Sequence, residues 1–424
     1  MLLIYGALPV GGIETFFVRL AKERKKAGLF TAILLLSKPE ASNKELLSEM
    51  CKYAQVLFPK DLFSISPLIS QWFPLLSPVR QSELISLFKC VDQIHVELSV
   101  HALLGHRLSK MANKNLPITI GFYHYITHLW GGNSIAHFEK VNRRFVFEYL
   151  PKDCLIMFSE GTRQLYTKYK KMNFDKSKTF RLGVVDYKEV DLVTRDKTPL
   201  RIVAVGRLVD FKTYNFYMLD VLNSLLEKGY LVEFDIYGDG PLKSEIKKKI
   251  DSLKINQFVC LKGTLDYSLF DETVSEYDLF IGSGTAIIQA ASLGVPAIVG
   301  VENVLQSKTY GYFCDVYNYE YNLKGLDLPL ISVEKMIEDY YSLSESDKII
   351  LRKSHLNSIK EFTNESCNLS MEQLKTITMP SEHFKFNRWS YDFSRVLDKF
   401  YMMLYKNHPR VTKFDEFRFL DEEK

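Results

Sequence analysis

The run from residue 278 to 300, DLFIGSGTAIIQAASLGVPAIVG, constrains the fold more than any other part of the chain. After Asp278 it is uncharged and changes character in steps: an apolar segment (279–282), a turn of small residues (Gly282, Ser283, Gly284, Thr285), a segment of helical spacing ending near Gly294-Val295-Pro296, and a second apolar segment (297–300). Strand, glycine turn, helix and strand is the unit from which parallel sheets are built. Glycines let the backbone approach a ligand, and the unpaired N–H groups of the first helical turn point at it, so an anion, phosphate above all, is the expected guest. The run is also long enough to read as a membrane span, but Gly, Ser, Thr, Gln and Pro break it into short pieces. A third reading is a buried βαβ unit without a ligand, since such turns also serve packing.

With 424 residues the chain has the length and apolar content for two domains. Its net charge of +4 conceals an asymmetry: 26 Lys and Arg stand against 16 Asp and Glu up to Val190, and the balance reverses afterwards. The N-terminal half is therefore the one expected to meet an anionic partner. The cysteines, at 51, 90, 154, 260, 314 and 367, show no C-x-x-C spacing and no clustering with histidine. This is a reduced cytosolic pattern, in which neither a disulfide framework nor a metal site is expected. The apolar start at residues 2–5 is too short for a secretory leader, so the expected location is cytoplasmic. No nucleic-acid partner is expected.

Taken in order, Leu2-Leu3-Ile4-Tyr5 reads as a buried strand. Pro9-Val10-Gly11-Gly12-Ile13-Glu14-Thr15 then turns into an amphipathic helix through Phe16, Phe17, Leu20 and Ala21, with a basic, solvated end at 22–26 and a strand at 32–36. The G-x-G-x-x-G fingerprint is missing, which argues against a dinucleotide and hydride transfer. Strands are also expected at 93–98 and 118–123, the second running into His124 and a loop of aromatic residues and glycines. A histidine at the C-terminal end of a parallel strand sits where such sheets place ligands, although a hydrogen bond within the loop would account for it equally. A strand at 154–158 precedes a basic helix through Arg163, Lys168, Lys170 and Lys171. The polar stretch 188–199 reads as a domain boundary.

Beyond that boundary the pattern restarts. Residues 201–205 form a strand followed by Gly206-Arg207-Leu208-Val209-Asp210-Phe211-Lys212 and a helix, and residues 232–237 form another, ending at Gly238-Asp239-Gly240-Pro241. Residues 258–261 lead to Lys262-Gly263-Thr264. Alternating strands and helices argue for a parallel doubly wound sheet with one crevice at its strand ends. Helices are expected at 333–343, 347–362 and 388–405, and the charged tail 412–424 is expected to fray.

Together Gly11-Gly12-Ile13-Glu14, Gly206-Arg207-Leu208 with Lys212, Tyr237-Gly238-Asp239-Gly240-Pro241 and Gly294-Val295-Pro296 resemble the GT-B-fold glycosyltransferases, most closely the retaining group classed as family four, which includes many bacterial surface-polysaccharide enzymes. The resemblance covers the chain up to about residue 300. It implies an α/β fold of two Rossmann-like, doubly wound domains with a cleft between them: an acceptor-side domain at 1–190, a nucleotide-sugar domain at 191–380, and a C-terminal helix at 381–424 crossing back to the first. It also implies a nucleotide-diphosphate sugar as donor, with no metal and no other cofactor. By that likeness Arg207 and Lys212 neutralise the diphosphate and the charge developing on the leaving group, and His124 lies beside the donor sugar. Gly11 and Gly12 approach the phosphates, Gly206 and Gly238 frame them, and Ser283, Gly284 and Thr285 hold phosphate or sugar oxygens. Lys262, Gly263 and Thr264 line the nucleobase pocket. The bland alternatives are surface ion pairs for Arg207 and Lys212, and for Glu14 a purely helix-capping role.

Two departures stand out. Where the family carries a spaced pair of glutamates, alignment on Gly294-Val295-Pro296 puts Ile281 at the first position and Gln289 at the second. Gln289 can still hydrogen-bond a ribose hydroxyl, though without charge assistance; Ile281 cannot contact a sugar in a polar way. A catalytically impaired GT-B scaffold or partner subunit is therefore the competing reading, and a GT-B epimerase a third. As a transferase, the chain would act on a glycan or lipid-linked glycan acceptor in surface polysaccharide synthesis. Its basic segments at 22–26 and 168–178 would meet anionic lipid on the inner face of the cell membrane.

Overall fold

The computed structural model describes residues 1–424 apart from 125, 126, 132–134, 191, 193–197, 320, 406 and 412–424, so the charged tail and much of the polar stretch 188–199 lie outside the described residues. Two compact units divide the chain: Met1–Gly183 with Asn364–Lys424, and Val184–Thr363.

In the first unit the strands are β1 (Leu2–Tyr5), β2 (Ala32–Leu35), β3 (Gln55–Leu57), β4 (Ile94–Val96), β5 (Ile118–Gly121), β6 (Leu155–Met157) and β7 (Lys178–Thr179). Among the described residues they form one sheet in the order β3-β2-β1-β4-β5-β6-β7, every pairing parallel. All four residues of β1 and of β2 are buried, the continuous apolar pattern of strands covered on both faces. The helix Gly12–Lys26 follows β1 and packs Phe16, Phe17, Leu20 and Ala21 into the core. Its basic end is not simply solvated: Arg24 is buried, bonds Thr31 and pairs with Glu372. That pairing carries a physical reason for the chain's return to this unit, because the helix Asn364–Gln373 supplies the counter-charge. The helix Arg388–Leu404, capped by Asn387, then packs on the helix His137–Arg144.

The second unit holds β8 (Leu200–Val205), β9 (Val232–Tyr237), β10 (Val259–Gly263), β11 (Leu279–Gly282) and β12 (Ala297–Val299), in the order β10-β9-β8-β11-β12 and again all parallel. The run that reads as strand, turn, helix and strand folds so, with a helix at Thr285–Ser292. Among the described residues no helix is long and apolar enough to cross a membrane. In each sheet the strand order reverses once beside the first strand of its unit, between β1 and β4 and between β8 and β11. Ligands of open parallel sheets bind outside the carboxyl ends of the strands at such a point.

Candidate functional site

In the second unit, the loops leaving β8 and β9 are braced together. Leu208 donates its N–H to the Asp239 carbonyl at 3.0 Å, and Leu242 donates to the Leu208 carbonyl at 3.2 Å. A β-carbon on Gly240 would come within 2.3 Å of the Leu208 carbonyl oxygen, so this close approach is what the glycines of Gly238-Asp239-Gly240-Pro241 permit. Gly238 also donates to the Gly263 carbonyl at 2.7 Å, which ties the end of β10 into the same frame. The Lys262 ammonium turns to Asp235, 3.5 Å away, leaving the backbone of Gly263 and the exposed Thr264 at the loop tip.

That frame presents two cations at the β8–β11 switch point. Arg207 is exposed; Lys212 is partly buried, with its ammonium against Gly206. Burial holds the Lys212 ammonium below the usual lysine range, the nearby Arg207 lowers it further, and the Glu302 carboxylate pulls it back. Among the described residues no carboxylate lies within ion-pairing distance of either cation. Among the described residues, then, no surface ion pair accounts for them.

The turn after β11 is less open than its glycines suggest. The Ser283 hydroxyl donates to Glu302 at 3.1 Å, and the Gly284 N–H donates to Asn322 Oδ1 at 2.9 Å. Of the three turn residues, Thr285 keeps an exposed side chain, at the start of its helix. Gln289 is buried on that helix, and Ile281 is fully buried in β11. Glu302 and Asn322 are the residues that sequence reasoning missed. The signal for Glu302 was its place just past β12, a lone carboxylate at a strand end; Asn322 carried none. Burial pushes the Glu302 carboxyl above the usual range, against the pull of Ser283 and Lys212.

In the first unit, Gly11 caps the helix Gly12–Lys26 and Gly12 opens it, with free space where a side chain would stand on Gly12. Glu14 does more than cap: it is buried, and accepts a hydrogen bond from the Tyr5 hydroxyl at 2.7 Å. His124 is exposed just past β5 and lines a cavity of about 470 Å³ with Glu97, His101 and Arg395. Burial pushes His101 down to about 3, so it is neutral at physiological pH, and its Nδ1 has no partner among the described residues. The carboxylates of Glu14 and Glu97 flank Tyr5 at the ends of β1 and β4, the switch point of this sheet. Gly11, Gly12 and His124 thus gather at one sheet edge of the first unit, and Arg207, Lys212 and the turn at 283–285 at one edge of the second. Among the described residues no cluster of His, Cys, Asp and Glu has the grouping of a metal site.

Residues 190–330, which hold the cation pair and the turn, match the family described as Glycosyl transferases group 1. The second unit carries a group 1 glycosyltransferase domain. A curated relative, an uncharacterized glycosyltransferase of Haemophilus influenzae, is 27% identical over 169 residues, which are 38% of this chain and 46% of the relative. The chain thus spans about half the length of that relative. Among solved structures, a glycosyltransferase from Rickettsia africae superposes with a TM-score of 0.59 at 16% identity, covering 88% of this chain and 99% of that one. Anabaena HepE, solved with UDP and glucose, gives 0.54 at 15% identity over 89% of this chain and 100% of its own. The lipopolysaccharide outer core galactosyltransferase WaaB gives 0.52 at 12% over 88% and 99%. At such identities the likeness is one of fold, and with the two parallel sheets it makes this a GT-B fold of two Rossmann-like domains, the group 1 domain being the second.

Proposed function

We propose that the protein is a retaining glycosyltransferase that takes a sugar from a nucleotide-diphosphate sugar, without a metal, and places it on a glycan or lipid-linked glycan during surface polysaccharide synthesis. The observation that carries this is the pair Arg207 and Lys212, cations without a carboxylate partner among the described residues at the β8–β11 switch point. A diphosphate between them relieves their mutual repulsion and supplies Lys212 with the counter-charge that burial denies it. As the bond from the sugar C1 to the diphosphate oxygen breaks, these cations hold the charge left on that oxygen. The acceptor oxygen bonds to C1 from the same face and its proton passes to the departing phosphate. His124 sits at the sugar, Gln289 at the ribose, and Gly263 and Thr264 at the base. Glu302 accepts from a donor-sugar hydroxyl, the polar duty that Ile281 cannot perform. The exposed lysines of the segment 22–26 (Lys22, Lys25 and Lys26) and the basic segment 168–178 rest on anionic lipid at the inner face of the membrane, where the acceptor is held.

Calorimetric titration with UDP, GDP and their sugar conjugates, first without metal and then with magnesium, tests this reading. One nucleotide binds the wild type in metal-free buffer, and Arg207→Ala with Lys212→Ala abolishes the binding. The full burial of Ile281 supports a second reading, an impaired GT-B subunit of a transferase complex. Absence of any nucleotide binding by the wild type favours that reading over the first.

A further inference from the structure

The helix Arg388–Leu404 has two different faces. One is buried within the first unit, where the Tyr391 hydroxyl donates to Asn142 Oδ1 at 2.7 Å and Asp392 has no exposed surface. The other carries Trp389, Phe393, Leu397, Phe400 and Leu404 at helical spacing, all exposed, from 53% for Phe400 to 77% for Leu404. Packing back onto the first unit accounts for the first face and leaves the second uncovered. The stripe continues onto the short helix Pro67–Trp72: Trp72 stacks on Phe400 with ring centres 6.0 Å apart, and Leu68 and Ile69, one turn before it, are exposed. Beside the stripe an apolar groove of about 510 Å³ opens between this helix and residues 136 and 137. Single exposed apolar side chains are ordinary, but a contiguous patch spanning two elements marks a surface that meets something.

Charge decides what it meets. From residue 383 to 411 the acids are Asp392 and Asp398, both buried, while Lys385, Arg388 and Lys399 are exposed. The Lys399 ammonium lies 4.1 Å from the centre of the Trp72 ring, so positive charge borders the apolar stripe directly. Residues 63–79, which include the short helix, carry no charge at all. Two copies meeting through this face would set cation against cation. An anionic bilayer complements both parts, taking the apolar stripe among its acyl chains and the cations at its headgroups, with Trp389 and Tyr405 at the level where aromatic residues favour the interface.

We propose that the exposed face of the helix Arg388–Leu404, together with the helix Pro67–Trp72, lies in the headgroup region of an anionic lipid bilayer with its axis along the membrane plane. This goes beyond the reading above, in which only basic segments touch lipid, and it is independent of donor binding.

Flotation of the full chain with phosphatidylcholine vesicles, with and without phosphatidylglycerol, tests it at low and high salt. The wild type floats with the anionic vesicles and stays bound at high salt, because apolar insertion is not screened. Brominated acyl chains quench its tryptophan emission, and Trp389→Phe reduces the quenching. Leu397→Glu with Leu404→Glu, both at exposed positions, cuts binding at least about tenfold while the melting temperature stays unchanged. Arg207→Ala with Lys212→Ala floats like the wild type, so loss of the donor and loss of the membrane are read separately. The proposal is overturned if the wild type does not float at low salt, or if high salt strips it and the two leucine changes have no effect. A concentration-dependent dimer abolished by the same leucine changes, without flotation, would assign the face to a second copy instead.

Discussion

A β-carbon on Gly238 would stand 1.9 Å from the carbonyl oxygen of Gly206. That oxygen belongs to the backbone of the neighbouring loop and has no side-chain freedom with which to retreat. Gly238→Ala therefore forces the β8 and β9 loops apart and costs the second unit at least about 2 kcal/mol, within the range of overpacked sites. Gly12→Ala, with nothing within 4 Å of the added carbon, serves as the control and stays within about 1 kcal/mol of wild type. Denaturant unfolding of both variants compares them, and equal midpoints would contradict the close approach.

Glu302→Gln removes a carboxylate from beside Lys212. Nucleotide-diphosphate binding tightens about fivefold at neutral pH as that repulsion disappears, while sugar transfer slows at least about tenfold. The pH dependence follows from the raised Glu302 carboxyl. As pH falls through its raised value the wild type loses the same negative charge by protonation, so its affinity converges on that of the variant. Parallel affinity curves across acid pH would show that Glu302 does not face the donor.

Burial pushes the Asp392 carboxyl up to about 6, against the pull of Arg395. The folded chain therefore holds this proton more tightly than the unfolded chain does. The stability so contributed is fully present below the unfolded value near 3.8 and is lost as pH rises through about 6. Asp392→Asn removes the dependence: between acid and neutral pH the wild type loses roughly 2–3 kcal/mol relative to the variant. Melting curves of the two proteins that run parallel over this interval would refute the assignment.

Glu372→Met leaves the Arg24 guanidinium buried without its counter-charge, at a cost of about 3 kcal/mol. Arg24→Met combined with Glu372→Met costs much less than the sum of the single changes, because no uncompensated charge remains. A double-mutant cycle in urea measures the coupling; strict additivity would mean that the pair does not hold the first helix to the helix Asn364–Gln373.

Much of the architecture was legible because a parallel sheet buries whole strands: Leu2-Leu3-Ile4-Tyr5 and Leu279-Phe280-Ile281-Gly282 announce themselves as apolar runs bounded by glycine. The strands Gln55–Leu57 and Lys178–Thr179 were not legible. They lie at the two edges of the sheet, short and largely exposed, so neither burial nor alternation marks them. Gly238 and Gly240 stood out as glycines, yet the reason for them, the backbone of another loop, is visible only in three dimensions. Asn322 lies far along the chain from the turn it braces and has no local pattern. Arg24 read as part of a solvated basic run because its partner lies hundreds of residues away. The return to the first unit begins at Asn364, ahead of residue 381, because the segment between carries the Glu372 counter-charge as well as core residues such as Met371 and Leu374.

The division of the first unit into two stretches of chain also orders events during synthesis. The second unit is contiguous, and its sheet has all its strands once residue 299 has been made. The first unit begins earlier yet finishes later, since Arg24 waits for Glu372 and Asn142 waits for Tyr391. Translation therefore makes every strand of the N-terminal sheet first but completes the second unit before the first, and until the last helices emerge the older half of the nascent protein is the part in need of a chaperone.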